Sequence, residues 1–340
     1  MTDTLNPLVG RYLTQYQVIT AAGQSPGQVF TDILLRYCHA KKLNAMTLQK
    51  GTEVITPSAA MLEGGRQPHQ TTSQLSSLLL AAVQQQCLTL DQQCALFITA
   101  PQPIEGSIAQ LLEFNLAGQV WQCQNEQTTF EAMRQAAKQY SELTHWVWLA
   151  LDSRCTVNWL MQQDTLFSDP FPNGPIPGEA LVVTQWQQQP ANSAPQLSAL
   201  AMAEEPAHGN QIYQKVETRA HLLRQVDENL TEQAPLWCSI MTNDDLSPEM
   251  AAEIYKTEAD LWPTYQPEPL KGESSPFISS YPALGDLGLA ALPLNLVMTA
   301  QRLQHPIKPC KTAYSVFTSG RLRLVGRMDT VSSDAPNKLA

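Results

Sequence analysis

Charge is scarce in this chain. Only 15% of its 340 residues are Asp, Glu, Lys or Arg. Gln, Ser and Thr supply much of the polar character instead. Basic residues are the scarcer sign, 21 against 31 acids, for a formal net charge of −10. Nucleic-acid binding relies on Lys and Arg at phosphates. No basic stripe offsets the deficit, so nucleic acid is not an expected partner. Long apolar runs are also missing. A membrane span needs ~18 apolar residues; the best candidate, Leu284 to Val297, is shorter and contains Asp286 and Pro293. The Met1 end has no basic region followed by an apolar run and a cleavage site, so no signal peptide is expected. A cytoplasmic protein without a membrane partner follows as the expectation.

Cofactor chemistry has equally little to build on. The seven cysteines (Cys38, Cys87, Cys94, Cys123, Cys155, Cys238 and Cys310) form no CxxC pair. Disulfide frameworks belong to small secreted domains, and zinc ligands usually come in close pairs. Reduced, mostly buried thiols and no metal are expected. Glu63-Gly-Gly-Arg66 is too short for a phosphate loop and lacks the following Lys-Ser/Thr. There is no G-x-S-x-G elbow for Ser/His/Asp catalysis. The acid pairs Glu204-Glu205 and Asp244-Asp245 read as solvated loop carboxylates, since Ca²⁺ or Mg²⁺ needs several convergent oxygens. His208-Gly209 reads as a loop histidine, and His145 as the start of a strand. No cofactor is expected.

What is present is a large apolar fraction, 43%, patterned as strands alternating with helices. That alternation predicts parallel sheet covered by helices. Strands are predicted at Tyr12–Ala21, Ala95–Ala100, Gln119–Gln122, Trp146–Leu151 and Ala180–Thr184. Helices are predicted at Gln28–Cys38, Thr71–Gln86, Ser107–Phe114 and Thr128–Tyr140, with a loop-rich insertion over Leu43–Pro68. After the Gln-rich connector Gln187–Ser193 a second series begins. It has strands at Leu197–Ala203 and Leu236–Met241, a helix at Tyr213–Asn229, and another starting at Ser247-Pro248-Glu249. Leu284–Leu303 reads as one long apolar helix. Lys311–Thr318 and Leu322–Arg327 read as a closing hairpin, and residues 330–340 as a disordered tail.

One stretch is more specific. An apolar run, Trp146 to Leu151, ends in Asp152-Ser153. A Pro/Gly-rich turn follows, from Pro170 to Gly178, and then Pro177-Gly-Glu-Ala180 opens a second apolar run. The stretch resembles the β-ketoacyl synthase branch of the thiolase superfamily. In the second half, Ser279 to Ala291 (SSYPALGDLGLAA) resembles that family's K-S-x-L-G-H-x-x-G-A-A-G. The resemblance covers most of the chain and implies an α/β, five-layer α-β-α-β-α sandwich made of two pseudo-duplicated halves, residues 1–186 and 194–329. The sequence itself shows no internal repeat. Ala-rich, uncharged faces suggest that the Thr128 and Leu284 helices are both buried between the two sheets.

The resemblance also implies a site, and the site departs from the family. A ketosynthase needs a cysteine at a helix N-terminus, two histidines and a supporting lysine. Counting back six residues from Ala132, the first small residue of its helix, gives Glu126. Cys123 lies three residues before it. The six histidines are His39, His69, His145, His208, His221 and His305, so none falls between 221 and 305, where both family histidines belong. Asn243 stands in the turn of the first, Asp286 at the second, and Tyr281 at the lysine position. Glu126, Asn243, Tyr281 and Asp286 are therefore read as vestigial positions, with no catalytic residue assigned.

The implied function is noncatalytic: a scaffold, adaptor or partner subunit. Degenerate relatives of this kind are chain-length partners in polyketide systems or accompany type VI secretion gene clusters. The compact length and the P-G-E-A strand resemble the second group, which implies a secretion effector or adaptor protein as a partner. Thiolase-fold proteins commonly pair through the third strand, so a homodimer, or a heterodimer with a thiolase-fold homologue, is expected. The alternative is an acyltransferase or decarboxylase acting through Glu126 or Cys123.

Overall fold

The computed structural model describes residues 6–62, 94–102, 120–172, 174–190, 193–204, 221–222, 225–226, 236–239, 277–305, 311–319 and 322–330. The helices expected at Thr71–Gln86, Ser107–Phe114 and Ser247 onward, nearly all of Tyr213–Asn229, position Asn243 and the 331–340 tail lie outside these residues.

Ten strands form one continuous ladder. The first series is β1 (Tyr12–Thr20), β6 (Cys94–Thr99), β7 (Val120–Cys123), β8 (His145–Ser153) and β9 (Glu179–Gln187). The second is β10 (Gln196–Glu204), β11 (Leu236–Ser239), β12 (Phe277–Ser279), β13 (Thr312–Ser319) and β14 (Leu322–Asp329). The spatial order is β12-β11-β13-β14-β10-β1-β9-β8-β6-β7. Within each series the strands lie third, second, fourth, fifth, first. In each, the fifth runs antiparallel to both neighbours and the other pairings are parallel. A repeated permutation with repeated directions is a duplication in topology that the amino-acid sequence does not display.

The two series meet at their first strands. The paired register is Tyr12 opposite Gln196, flanked by main-chain bonds from Leu13 N to Pro195 O (2.9 Å) and Leu197 N to Arg11 O (3.0 Å). Two small hairpin-like pairs occupy part of the 43–68 region: β2 (Lys41–Lys42) with β5 (Ser58–Ala59), and β3 (Leu48–Lys50) with β4 (Glu53–Ile55).

β8 and β9 are buried along almost their whole length. A strand covered on both faces is expected to be a continuous apolar run rather than an alternating one; both are. Among the helices, α1 (Pro26–Leu34) is capped by Ser25 with Pro26 in its first turn. α2 spans Glu126–Gln139 and α3 spans Val157–Gln162.

The long helix expected from Leu284 is divided. A single turn, α4 (Tyr281–Leu284), stops at Gly285, whose φ is +73°. A 3-10 turn over Gly288–Ala290 follows, and α5 runs from Ala291 to Gln304. Composition stays apolar across the break, so the interruption is a backbone event. Eleven of α5's fourteen residues are buried. It packs against β11, β13 and β14 of one series and β1 and β9 of the other. It therefore occupies the layer between the two series, as expected.

α2 does not share that setting, which corrects the expectation for the Thr128 helix. It packs on β6 and β7 and buries Glu126, Thr129, Phe130, Met133 and Ala136 at helical spacing. Gln127, Glu131, Gln135 and Lys138 face solvent. Among the described residues no helix is long and apolar enough to cross a membrane.

Candidate functional site

The strand β8 ends where the two series touch. Ile176 to Glu179, leading into β9, crosses Gly285 to Leu289 of the second series. Gly178 N donates to Asp286 O (3.0 Å) and Asp286 N to Ile176 O (2.8 Å). The Tyr281 hydroxyl accepts from Ile176 N (3.0 Å). Approach is close enough to demand glycine. A Cβ on Gly178 would lie 2.2 Å from Leu284 O, and one on Gly285, 2.5 Å from Ile176 O.

Carboxylates line this crossing. Asp152 is buried and accepts from Ser153 N (2.7 Å) and Leu289 N (2.9 Å). Asp286 accepts from Gly288 N (2.9 Å). Glu179, fully buried, accepts from Leu62 N (2.6 Å) and the Ser153 hydroxyl (2.8 Å), which in turn accepts from Cys155 N (3.0 Å). Arg154 supplies the positive charge, 3.9 Å from Asp152 and 3.5 Å from Asp286. Each of these acids has a main-chain donor, which offsets part of the cost of burying a carboxyl group.

Glu126 differs. It is 3% exposed, and its Oε1 has no hydrogen-bond partner. Burial pushes its carboxyl up to about 7; the charge of Asp152 adds to the rise, while its own main-chain N–H and the charge of Arg154 oppose it. Glu126 therefore feels the charges of Asp152 and Arg154.

Helix α2 is fixed at this end by a chain of hydrogen bonds. Trp148 Nε1–H donates to Thr99 Oγ1 (2.9 Å). Thr129 Oγ1 donates to Asn125 O (2.8 Å), so the 2.7 Å contact between the two hydroxyls is donated by Thr99. Asn125 caps the helix through Thr128 N (2.8 Å), and Thr128 Oγ1 caps Asn125 N in return. The N–H groups of Glu126 and Thr128, which an oxyanion hole at this helix start would use, are taken by the chain's own side chains.

Burial disfavours the thiolate at Cys123 and Cys155. It pushes Cys123 up, against a hydrogen bond with Thr129, and pushes Cys155 well above its usual range, helped by Glu179, Asp286 and Asp152. Cys123 borders a shallow cleft with Ile98, Ala100 and Gln124, beside the edge strand β7. Among the described residues no group of three or more His, Cys, Asp or Glu is placed to hold a metal.

Of the positions expected from sequence, Asp286 and Tyr281 come together at the crossing, and Glu126 is buried at the start of α2. Asp152, Arg154 and Glu179 were not singled out as site residues. For the two acids the signal is present in the sequence: acids at the mouths of the two longest apolar strands are buried acids, and buried acids need partners.

No family model matches the chain, and no curated protein sequence matches it. Solved structures do. The ishigamide ketosynthase/chain length factor superimposes with a TM-score of 0.62 at 11% identity, over 95% of this chain and 99% of that one. A ketosynthase from module 6 of the bacillaene synthase of Bacillus subtilis gives 0.65 at 10%, over 95% and 72%. A β-ketoacyl synthase from Burkholderia phymatum gives 0.61 at 11%, over 95% and 99%. The fold is the thiolase-like fold of the ketosynthases. At 10–11% identity the likeness speaks to architecture alone.

Proposed function

We propose that this chain is a noncatalytic ketosynthase-like protein, a scaffold or adaptor built on a disused active-site seam. The observation that carries this reading is the buried carboxyl cluster. Glu126 and Asp286 occupy the positions at which the resemblance puts the nucleophile and the second histidine, and Asp152 shares Arg154 with Asp286. An anion beside a developing thioester oxyanion raises the barrier. The cluster's donors are spent on its own carboxylates. The expected partners are a second copy or a thiolase-fold homologue, through β7, the last strand of the ladder. The resemblance to chains of type VI secretion clusters adds a secretion effector or adaptor as the client.

The test is direct. The protein is incubated with acyl and malonyl thioesters and followed by intact-mass spectrometry and carbon dioxide release. Neither an acyl adduct nor condensation product is expected. An adduct on Cys123, or decarboxylation abolished by Glu126→Gln, would overturn the reading and favour the acyltransferase or decarboxylase alternative.

A chain-length-factor-like role is the second reading, favoured by two of the structural neighbours, the ishigamide ketosynthase/chain length factor and the PfaC ketosynthase–chain length factor. Copurification separates the two: an active ketosynthase as the bound partner supports this role, a secretion effector the adaptor role.

A further inference from the structure

The end of α1 presents a run of apolar side chains to solvent. Residues 34–38, Leu-Leu-Arg-Tyr-Cys, are all exposed, Leu35 at 72% and Tyr37 at 62%. Single exposed apolar residues are ordinary, whereas a contiguous apolar run held in place marks a contact surface. This run is held. Tyr37 N donates to Asp32 O (2.9 Å) and Arg36 N to Ile33 O (3.1 Å), the paired bonds of a Schellman helix end. The far side is fastened by His39. Its Nε2 lies 2.9 Å from Asp32 Oδ2, and its main-chain N–H donates to Ala283 O (2.9 Å). Gln28 Nε2 donates to the other oxygen of Asp32 (2.7 Å).

Two residues in this closure run against its stability. The left-handed position of the motif favours glycine, yet here it is Arg36, with φ +53°. The apolar contact that usually completes the motif would run from Tyr37 back onto the helix. It meets polar Thr31 and Asp32, and the Tyr37 ring stands edge-on to His39 instead, 4.9 Å between centroids. Strain retained beside exposed apolar side chains points to a use for them. The local charge narrows that use. Residues 4–52 hold five bases (Arg11, Arg36, Lys41, Lys42 and Lys50) and one acid, Asp32, in a chain of net charge −10. Arg36 within the run and Lys41 just after it are exposed, and the one acid is engaged by His39 and Gln28.

We propose that residues 34–38 form a preorganised docking knob for an acidic, apolar peptide segment of a partner protein. Leu35 and Tyr37 supply the apolar contact, and Arg36 and Lys41 meet the segment's carboxylates. Charge complementarity selects this occupant: a positive patch on an acidic chain takes a negative ligand. An anionic bilayer calls for roughly four to eight clustered bases. The three exposed ones here include Lys42, which is paired with Asp169 at 2.6 Å. The proposal goes beyond the noncatalytic reading and does not depend on it, since it concerns a surface and not turnover.

Peptide selection on the full chain tests it. A random peptide library displayed on phage is selected against the protein, and the enriched peptides are synthesised and titrated. They should combine Asp or Glu with Leu, Phe or Trp. Their affinity should fall about tenfold in Leu35→Ser/Tyr37→Ser and in Arg36→Glu. Arg36→Gly should weaken binding as well, while its urea midpoint equals or exceeds that of the unaltered protein, because glycine relieves the left-handed position. Selection of no binder, of peptides without acids, or of peptides that bind these variants unchanged would overturn the proposal. It would also be overturned if the same variants abolished self-association in light scattering or binding to phosphatidylserine vesicles, which would assign the surface to a second copy or to a membrane.

Discussion

The carboxylate of Asp152, at the end of β8, accepts the main-chain N–H of Leu289 at 2.9 Å, although the two residues are 137 positions apart. One side chain of the first series thereby starts the 3-10 turn that leads into α5 of the second. Gly288 lies beside it with φ +53°, and a Cβ there would sit inside the Asp152 carboxylate.

Gly288→Ala should accordingly be among the most damaging small changes in the chain. The left-handed backbone alone costs about 1–3 kcal/mol for a residue with a Cβ, and displacement of Asp152 comes on top. Urea unfolding should show a lower midpoint with an unchanged slope. A midpoint equal to that of the unaltered protein would mean that the Asp152–Leu289 contact is not formed.

Glu126 sets a stability difference that depends on pH. Its folded value is raised from 4.5 to about 7, so the folded state binds the extra proton between those values. Stability contributed by this group is intact below about 4.5 and is lost as pH rises toward 7. The gap corresponds to about 3 kcal/mol. Glu126→Gln should match the unaltered protein near pH 4.5 and exceed it by roughly that amount above pH 7, measured by chemical denaturation. A difference independent of pH would refute the assignment.

Thr99→Val removes the centre of the Trp148–Thr99–Thr129–Asn125 relay. Trp148 Nε1–H would lose its acceptor in a fully buried site. A loss of about 1–3 kcal/mol is expected for the orphaned donor. Thr99→Ser, which keeps the hydroxyl, should recover most of it.

The edge of the ladder makes a prediction about assembly. β7 pairs with β6 on one side, and among the described strands it has no neighbour on the other. Trp121, half-buried, stacks on Phe97 with ring centroids 5.1 Å apart. Light scattering should give a dimer, by strand addition at this edge. Gln122→Pro, which removes a ladder donor without touching the core, should yield a monomer; a dimer that survives it would place the interface elsewhere.

Legibility in the sequence followed the strength of the local pattern. β8 and β9 were readable because long apolar runs between Trp146 and Leu151 and between Ala180 and Thr184 carry their own signal. β3 and β4 were not, since three-residue strands closed at Gly51 offer no period to detect. The break at Gly285 is hidden by the apolar residues that flank the Gly285-Asp286 pair. The orientation of α2 was misjudged from Ala132 and Ala136, when the spacing of Glu126, Thr129, Phe130, Met133 and Ala136 already described a single buried stripe. At the site, Glu126 and Asp286 were found by counting along motifs. Arg154 was not, because what identifies it is proximity to an acid on the other series, and proximity of that kind is written in topology.

The brief junction at Tyr12 and Gln196 has a practical consequence. Nearly all that binds one series to the other is noncovalent: the packing of α5 and the crossing at Asp286. A chain cut once in the connector near Gln189 should therefore behave as two complementing fragments. They would elute together from a sizing column and part company only in denaturant.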